Sequence, residues 1–230
     1  MRATSGSLAN VPASGAFDER LKEIDMFFQE NDRIHQTMRR VAERLEQNGI
    51  RYAIVGGMAV NAHRHQRTTR DVDFLLTSEG LASFLRLFVT QDFDAVAGHP
   101  RRFVDRATGV TFDILVTGLF PGSGKPGPIA YPDPARVSEV IDERHVLNLA
   151  TLIELKLAAG RYKDFGDVVE LIRVHDLDER FGDALHPSVR GDFIECIEEK
   201  RREDEYEARQ DEAFEKKKHG DHDADSLPTP

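Results

Sequence analysis

The sequence predicts an α+β fold: a small mixed β-sheet flanked by helices, followed by a C-terminal helical region. Three observations predict it. Short apolar runs punctuated by Gly and Pro fill the stretch from Tyr52 to Val116, the signature of short strands. Apolar residues at helical spacing precede and interrupt those runs. Beyond residue 149 the helical spacing continues without strand-like runs. With 230 residues, 40 % of them hydrophobic and 14 of them Phe, the chain is long enough to bury a core.

In order, residues 1–16 are small and polar and are expected to be disordered. Ile34, Met38, Val41 and Leu45 recur at helical spacing, which predicts a helix over roughly 19–48, ended by Asn48-Gly49. Tyr52-Ala53-Ile54-Val55 reads as a buried strand, Met58 to His65 as a short helix, and Asp71 to Leu76 as a second strand. Leu81, Phe84, Leu85 and Phe88 predict a helix over about 79–90. Phe93 to Val96, Arg102 to Asp105 and Val110 to Val116 read as strands separated by turn residues. The Gly- and Pro-rich stretch 117–134 is expected to be a long loop. Helices follow at about 149–160 and 164–175, with a third over 188–216. The expected organisation is a core at 17–145, a helical region at 146–197 and a charged, largely disordered tail at 198–230.

Composition narrows the function classes. No apolar run approaches the roughly 18 residues that span a bilayer, and the first residues lack the apolar segment of a secretory signal. Cys196 is the single cysteine, so no internal disulfide forms. A cytoplasmic protein without membrane association is expected. The net charge of −10 argues weakly against avid nucleic-acid binding. Residues 198–230 hold twelve acids and seven bases, half of that excess, which leaves the body only mildly acidic.

The central motif is Gly56-Gly57 followed by Arg67, Thr69, Asp71 and Asp73. Residues two apart on a strand face the same way, so Asp71 and Asp73 project together while Val72 and Phe74 face the core. Two adjacent carboxylates repel unless a positive charge joins them, and hard oxygen ligands suit Mg²⁺. Asp113, set in the apolar run Thr111-Phe112-Asp113-Ile114-Leu115, is costly to bury alone and would complete a two-metal carboxylate cluster. Gly56-Gly57, between a strand and a helix start, lets backbone approach a phosphate. Taken singly, Asp71-x-Asp73 also fits a solvated strand end, Arg67 a surface charge or a brace for the carboxylates, and Thr69 an ordinary strand residue.

Tyr52 to Leu76 resembles the signature of the DNA polymerase β-like nucleotidyltransferase superfamily: an apolar residue with Gly-Gly or Gly-Ser, a spacer, then Asp-apolar-Asp. Arg67-x-Thr69-x-Asp71-x-Asp73 is similar to the form found in bacterial nucleotidyltransferases of the AbiEii toxin type and their MNT-like relatives. Leu155-Lys156 with Ala159, Arg161, Lys163-Asp164 and Asp167 resembles that group's helical motif, so the matching blocks cover about 52–172. The resemblance implies a nucleotidyltransferase fold and transfer of NMP from an NTP to an acceptor hydroxyl. It implies two Mg²⁺ ions held by Asp71, Asp73 and Asp113, with Asp113 helping to activate the acceptor. Gly56 and Gly57 would cradle phosphates, Arg67 and Thr69 would lie beside them, and Lys156 would contact the triphosphate. Arg161, Lys163, Asp164 and Asp167 would support the site. Gly57 departs from the many members that carry Ser there. The implied acceptor is RNA, such as a tRNA 3′ end, with a small molecule of aminoglycoside type or a protein side chain as alternatives. A toxin or antitoxin partner is also implied, and a non-catalytic nucleotide-binding or antitoxin-like module is the reading of a different class.

Other motifs carry less. Lys163 and Asp167, four apart, fit an ordinary helix salt bridge, and Asp164 fits a first-turn acid favoured by the helix dipole. His63-x-His65 reads as two surface histidines rather than metal ligands. Gly122-Ser123-Gly124-Lys125 lacks the spacing of a phosphate loop, and Pro126 stands where a helix should start. His175-Asp176 carries no assignment, and Cys196 reads as structural.

Overall fold

The computed structural model describes residues 33–220 apart from Gln66, Thr68 and Arg70. The expected disordered segment 1–16, the first part of the 19–48 helix and the last ten residues of the tail lie outside the described residues. A first helix, α1, covers 33–47. The elements that follow are β1 (Tyr52–Val55), α2 (Gly56–Ala62), β2 (Val72–Leu76), α3 (Ser78–Phe88), β3 (Phe93–Ala95), β4 (Arg102–Asp105), β5 (Thr111–Val116), α4 (Pro134–Val137), β6 (Ser138–Ile141), β7 (Arg144–Leu147), α5 (Leu149–Ala159), α6 (Tyr162–His175) and α7 (Arg190–Gly220). The α+β plan expected from the sequence is the plan of the structure.

The seven strands form one mixed sheet in the order β3-β4-β5-β2-β1-β7-β6. β2 pairs antiparallel with β1 on one side and parallel with β5 on the other, and that parallel register sets Asp73 beside Asp113. β6 and β7 have no counterpart in the sequence expectation. Their segments are rich in charge and half exposed at the sheet edge, so neither alternation nor an apolar run marks them.

Under β5 lies an aromatic core. Phe84 meets the rings of Phe88, Phe93, Phe103 and Phe112 at centroid distances between 5.0 and 6.0 Å, mostly edge-on. Thr77 caps α3 by accepting from the Gly80 N–H at 3.0 Å, which fixes the angle at which Phe84 enters that core. α1 is tied to the same region through the fully buried Asp105, which accepts from Arg40 Nε at 3.0 Å.

The helix expected over 188–216 is α7, and it runs on through the charged segment to Gly220. The helix is held by spaced ion pairs, among them Lys200–Asp204 at 2.9 Å, and by Arg173 of α6 reaching Glu203 at 2.6 Å.

Replacing Phe84 with Ala is expected to lower stability by about 3–5 kcal/mol, because four neighbouring rings lose their common partner. Denaturant unfolding of the Phe84→Ala protein measures it. A loss below about 1 kcal/mol would show that the ring cluster relaxes into the space.

Candidate active site

A cavity of about 320 Å³ opens where β1, β2 and β5 meet α5 and α6. Its wall brings together Gly56, Gly57, Arg67, Thr69, Asp71, Asp73, Asp113, Lys156, Arg161, Lys163 and Asp164, all singled out in the sequence. Asp167 sits directly behind, bonded to Lys156. Leu115, Tyr131, Leu147, Leu152 and Leu155 give the cavity an apolar side, and Arg102 is its unanticipated charged member.

The carboxylates come from strand geometry. Val72 and Phe74 are buried on one face of β2, so Asp73 points to the other. Phe112 and Ile114 do the same for Asp113 on β5. Asp71 lies exposed just ahead of β2. Burial, then the charges of Asp113 and Asp71, push the Asp73 pKa up to about 7, against the smaller opposing pull of Lys163 and Arg161. Asp113 is occupied otherwise: Arg102 donates to both its oxygens, Nε at 2.9 Å and Nη2 at 2.7 Å. Among the described residues no three acids or imidazoles are already drawn together tightly enough to hold a metal ion.

The glycines have steric reasons. Gly56 has φ +63 at the turn from β1 into α2, and a side chain there would strike the Asp73 carboxylate. At Gly57 a Cβ would lie 2.5 Å from Thr69 Oγ1 and 2.8 Å from Arg67 Nη2. The room a serine would need is therefore filled by Thr69 and Arg67.

On the α5–α6 side the cavity wall continues into a buried charge network. Lys156 is only 6 % exposed and donates to Asp167 at 2.6 Å and Asp164 at 3.3 Å. Arg161 Nη2 donates to Asp164 at 3.2 Å. Arg67 Nε stands 3.0 Å from Asp167, an ion pair by distance whose N–H has no hydrogen-bond acceptor. Lys156 is thus a buried helix residue and not a solvated one, enclosed with the two acids of α6 that hold it. The ordinary Lys163–Asp167 salt bridge is also overturned, because Asp167 turns inward to Lys156 while Lys163 stays exposed on the cavity wall. Asp164 does lie in the first turn of α6.

The surface expectation for His63 fails too. His63 follows the last residue of α2, is 5 % exposed, and donates from Nε2 to the Leu147 carbonyl at 2.7 Å. His175 donates to the His63 carbonyl at 2.8 Å, a packing role that its position in the sequence does not announce. Cys196 is buried, and that burial pushes its thiol pKa up to about 12, as suits an inert core residue. Residues 122–125 form a loop without a following helix, so no phosphate loop exists there.

No family model and no curated protein matches the chain. Among solved structures, an antigenic nucleotidyltransferase-like protein from Paracoccidioides brasiliensis aligns with 62 % of this chain and 75 % of its own at 18 % identity, with a TM-score of 0.40. ANT(2")-Ia in complex with adenylyl-2"-tobramycin aligns with 70 % of this chain and 97 % of its own at 13 % identity and a TM-score of 0.46. The STING-associated CdnE c-di-GMP synthase from Capnocytophaga granulosa aligns with 69 % of this chain and 54 % of its own at 13 % identity and a TM-score of 0.31. All three likenesses are partial, and the chemistry of the site stands on its own residues. No described helix is long and apolar enough to cross a membrane.

Two outcomes test this geometry. A raised carboxyl pKa means the folded protein holds the proton that the unfolded chain releases, so Asp73 costs stability progressively as pH rises from 3.8 towards about 7. In metal-free buffer, Asp73→Asn should therefore gain on wild type at about pH 8 relative to about pH 5. A pH-independent difference in unfolding free energy would show that Asp73 is not strained. Lys156→Met should lose about 3 kcal/mol by denaturant unfolding, the low end for a broken buried pair because Arg67 and Arg161 still serve the two acids. An unchanged midpoint would mean water replaces the ammonium.

Proposed function

We propose that this chain is a metal-dependent nucleotidyltransferase of the DNA polymerase β-like type, moving NMP from an NTP to an acceptor hydroxyl. The observation that carries this is the gathering of Asp71, Asp73 and Asp113 on one cavity wall beside Gly56-Gly57, with the Asp73 carboxyl pushed up by burial and then by its neighbours' charge. An acid whose proton is held by burial among other acids marks a site in want of a cation, and hard carboxylate oxygens suit Mg²⁺. Asp71, Asp73 and Asp113 are the residues that would hold it, with Asp113 first exchanging Arg102. When bound, Mg²⁺ neutralises charge on the triphosphate and orients the displacement.

The rest falls to the chain's own groups. Gly56 and Gly57 leave their backbone open to the phosphates. Lys163 and Arg161 add positive charge on the opposite wall. The leucines and Tyr131 give the base and sugar an apolar side away from water. Lys156, with Asp164 and Asp167, positions α5 and α6 rather than meeting the triphosphate directly. The acceptor oxygen attacks the α-phosphorus, the bond to the pyrophosphate oxygen breaks, and the hydroxyl proton passes to the neighbouring Asp113.

For the acceptor, a recess of about 210 Å³ adjoins Asp113 and is lined by His99, Pro100, Arg101 and Arg102. Its basic character supports a phosphate-bearing acceptor such as an RNA end, and disfavours a polycationic aminoglycoside. The three clustered acids favour turnover over the nucleotide-binding module.

Purified protein with Mg²⁺ and each NTP labelled at the α-phosphate should transfer label to RNA. Asp71→Ala and Asp73→Ala should each reduce transfer at least about 100-fold with an unchanged circular-dichroism spectrum. Label in aminoglycoside or protein fractions would reassign the acceptor. Transfer that survives both substitutions would remove the metal site.

A further inference from the structure

Asp113 already has a cation. Arg102 is its partner across the β4–β5 ladder and forks onto both its oxygens, at 2.9 and 2.7 Å. The same guanidinium lies in the field of Asp71 and Asp73. Its charge therefore bears on all three acids, although it bonds only Asp113. A divalent ion at Asp113 needs the oxygens that Arg102 holds, so the two compete for one carboxylate. Arg102 also has somewhere to go. Its side chain is 44 % exposed and stands between the main cavity and the recess lined by His99, Pro100 and Arg101.

Resting on the metal reading above, we propose that Arg102 is a resident counter-ion that competes with the divalent ion for Asp113. The carboxylates then divide into two classes. Among the described residues no ion pair holds Asp71 or Asp73, whereas Asp113 joins them at an ion only after Arg102 lets go. An incoming triphosphate offers the guanidinium a new anionic partner, so nucleotide and the ion at Asp113 favour each other through this residue. Such coupling is reciprocal by necessity. Arg102 acts through Asp113 and is a positioning residue, not a catalytic one.

The test reads metal binding without turnover. Free Mn²⁺, an oxygen-seeking stand-in for Mg²⁺, is titrated by electron paramagnetic resonance into nucleotide-free wild type, Arg102→Gln, Arg102→Lys, Arg102→Gln/Asp113→Asn and Asp73→Ala. Arg102→Gln should bind Mn²⁺ about fivefold more tightly than wild type, the scale of a partly exposed ion pair. Arg102→Lys, which keeps the charge without the fork, should gain less, and it decides alone if the Gln variant fails to fold by circular dichroism. The double variant should lose the gain. Equal Mn²⁺ affinity in wild type and both Arg102 variants would overturn the proposal and leave the metal reading standing. A gain that persists without the Asp113 carboxylate would also overturn it, since general charge would then explain it. No Mn²⁺ retained by any of the proteins, or retention unaffected by Asp73→Ala, would overturn the metal reading and this proposal with it.

Discussion

Repulsion among three carboxylates organises this molecule. The parallel pairing of β2 with β5 sets Asp73 directly beside Asp113, and Asp71 follows because residues two apart share a face. The alternating apolar residues beneath, Val72 and Phe74 on one strand and Phe112 and Ile114 on the other, are fully or almost fully buried. Burying those four side chains is what holds three like charges in place, since the acids themselves oppose the arrangement. The core is therefore the source of the strain at the site, and the aromatic cluster under β5 is part of the chemistry in that sense.

Three of the positive groups near the cavity answer that repulsion, and they do so at different depths. Arg102 meets Asp113 at the rim, where solvent screens the pair and exchange is easy. Lys163 and Arg161 act across the cavity on Asp73. Lys156 belongs to a separate, buried account: it neutralises Asp164 and Asp167, and removing it would leave acids without compensation. Rim pairs that exchange and buried pairs that do not are the two kinds of charge this site uses. The first suits ligand entry, and the second locks α5 to α6.

Much of this was legible from local pattern. Asp71, Asp73, Asp113 and the two glycines were readable because strand alternation and the strand-to-helix turn are properties of a few consecutive residues. What escaped depends on relations between distant segments. The Arg102–Asp113 pair needs the β4–β5 register. The inward turn of Asp167 needs the packing of α6 on α5, which defeats the simple four-residue rule for Lys163. His63 is buried where β7 passes beside the end of α2 and His175 packs against its ring, and β7 itself is an edge-region strand with charged residues that hide its periodicity. The helix over 188–216 was legible from its pattern, whereas the ion pairs that hold it, Arg173 to Glu203 among them, needed the packing of α6 on α7.

The glycine at position 57 shows how these layers connect. Judged by motif, it is a missing hydroxyl. Judged by space, it is a requirement, because Thr69 Oγ1 and Arg67 Nη2 stand where a side chain would go. Any larger residue there must push Arg67, and Arg67 pairs with Asp167, which pairs with Lys156. A change on the cavity surface would thus propagate into the buried network that holds the two helices together. Thr69, meanwhile, brings a hydroxyl to the place that the glycine leaves bare, anchored by donation to the Asp71 carbonyl at 3.2 Å. The glycine is the condition that lets the loop ahead of β2 bring that hydroxyl there.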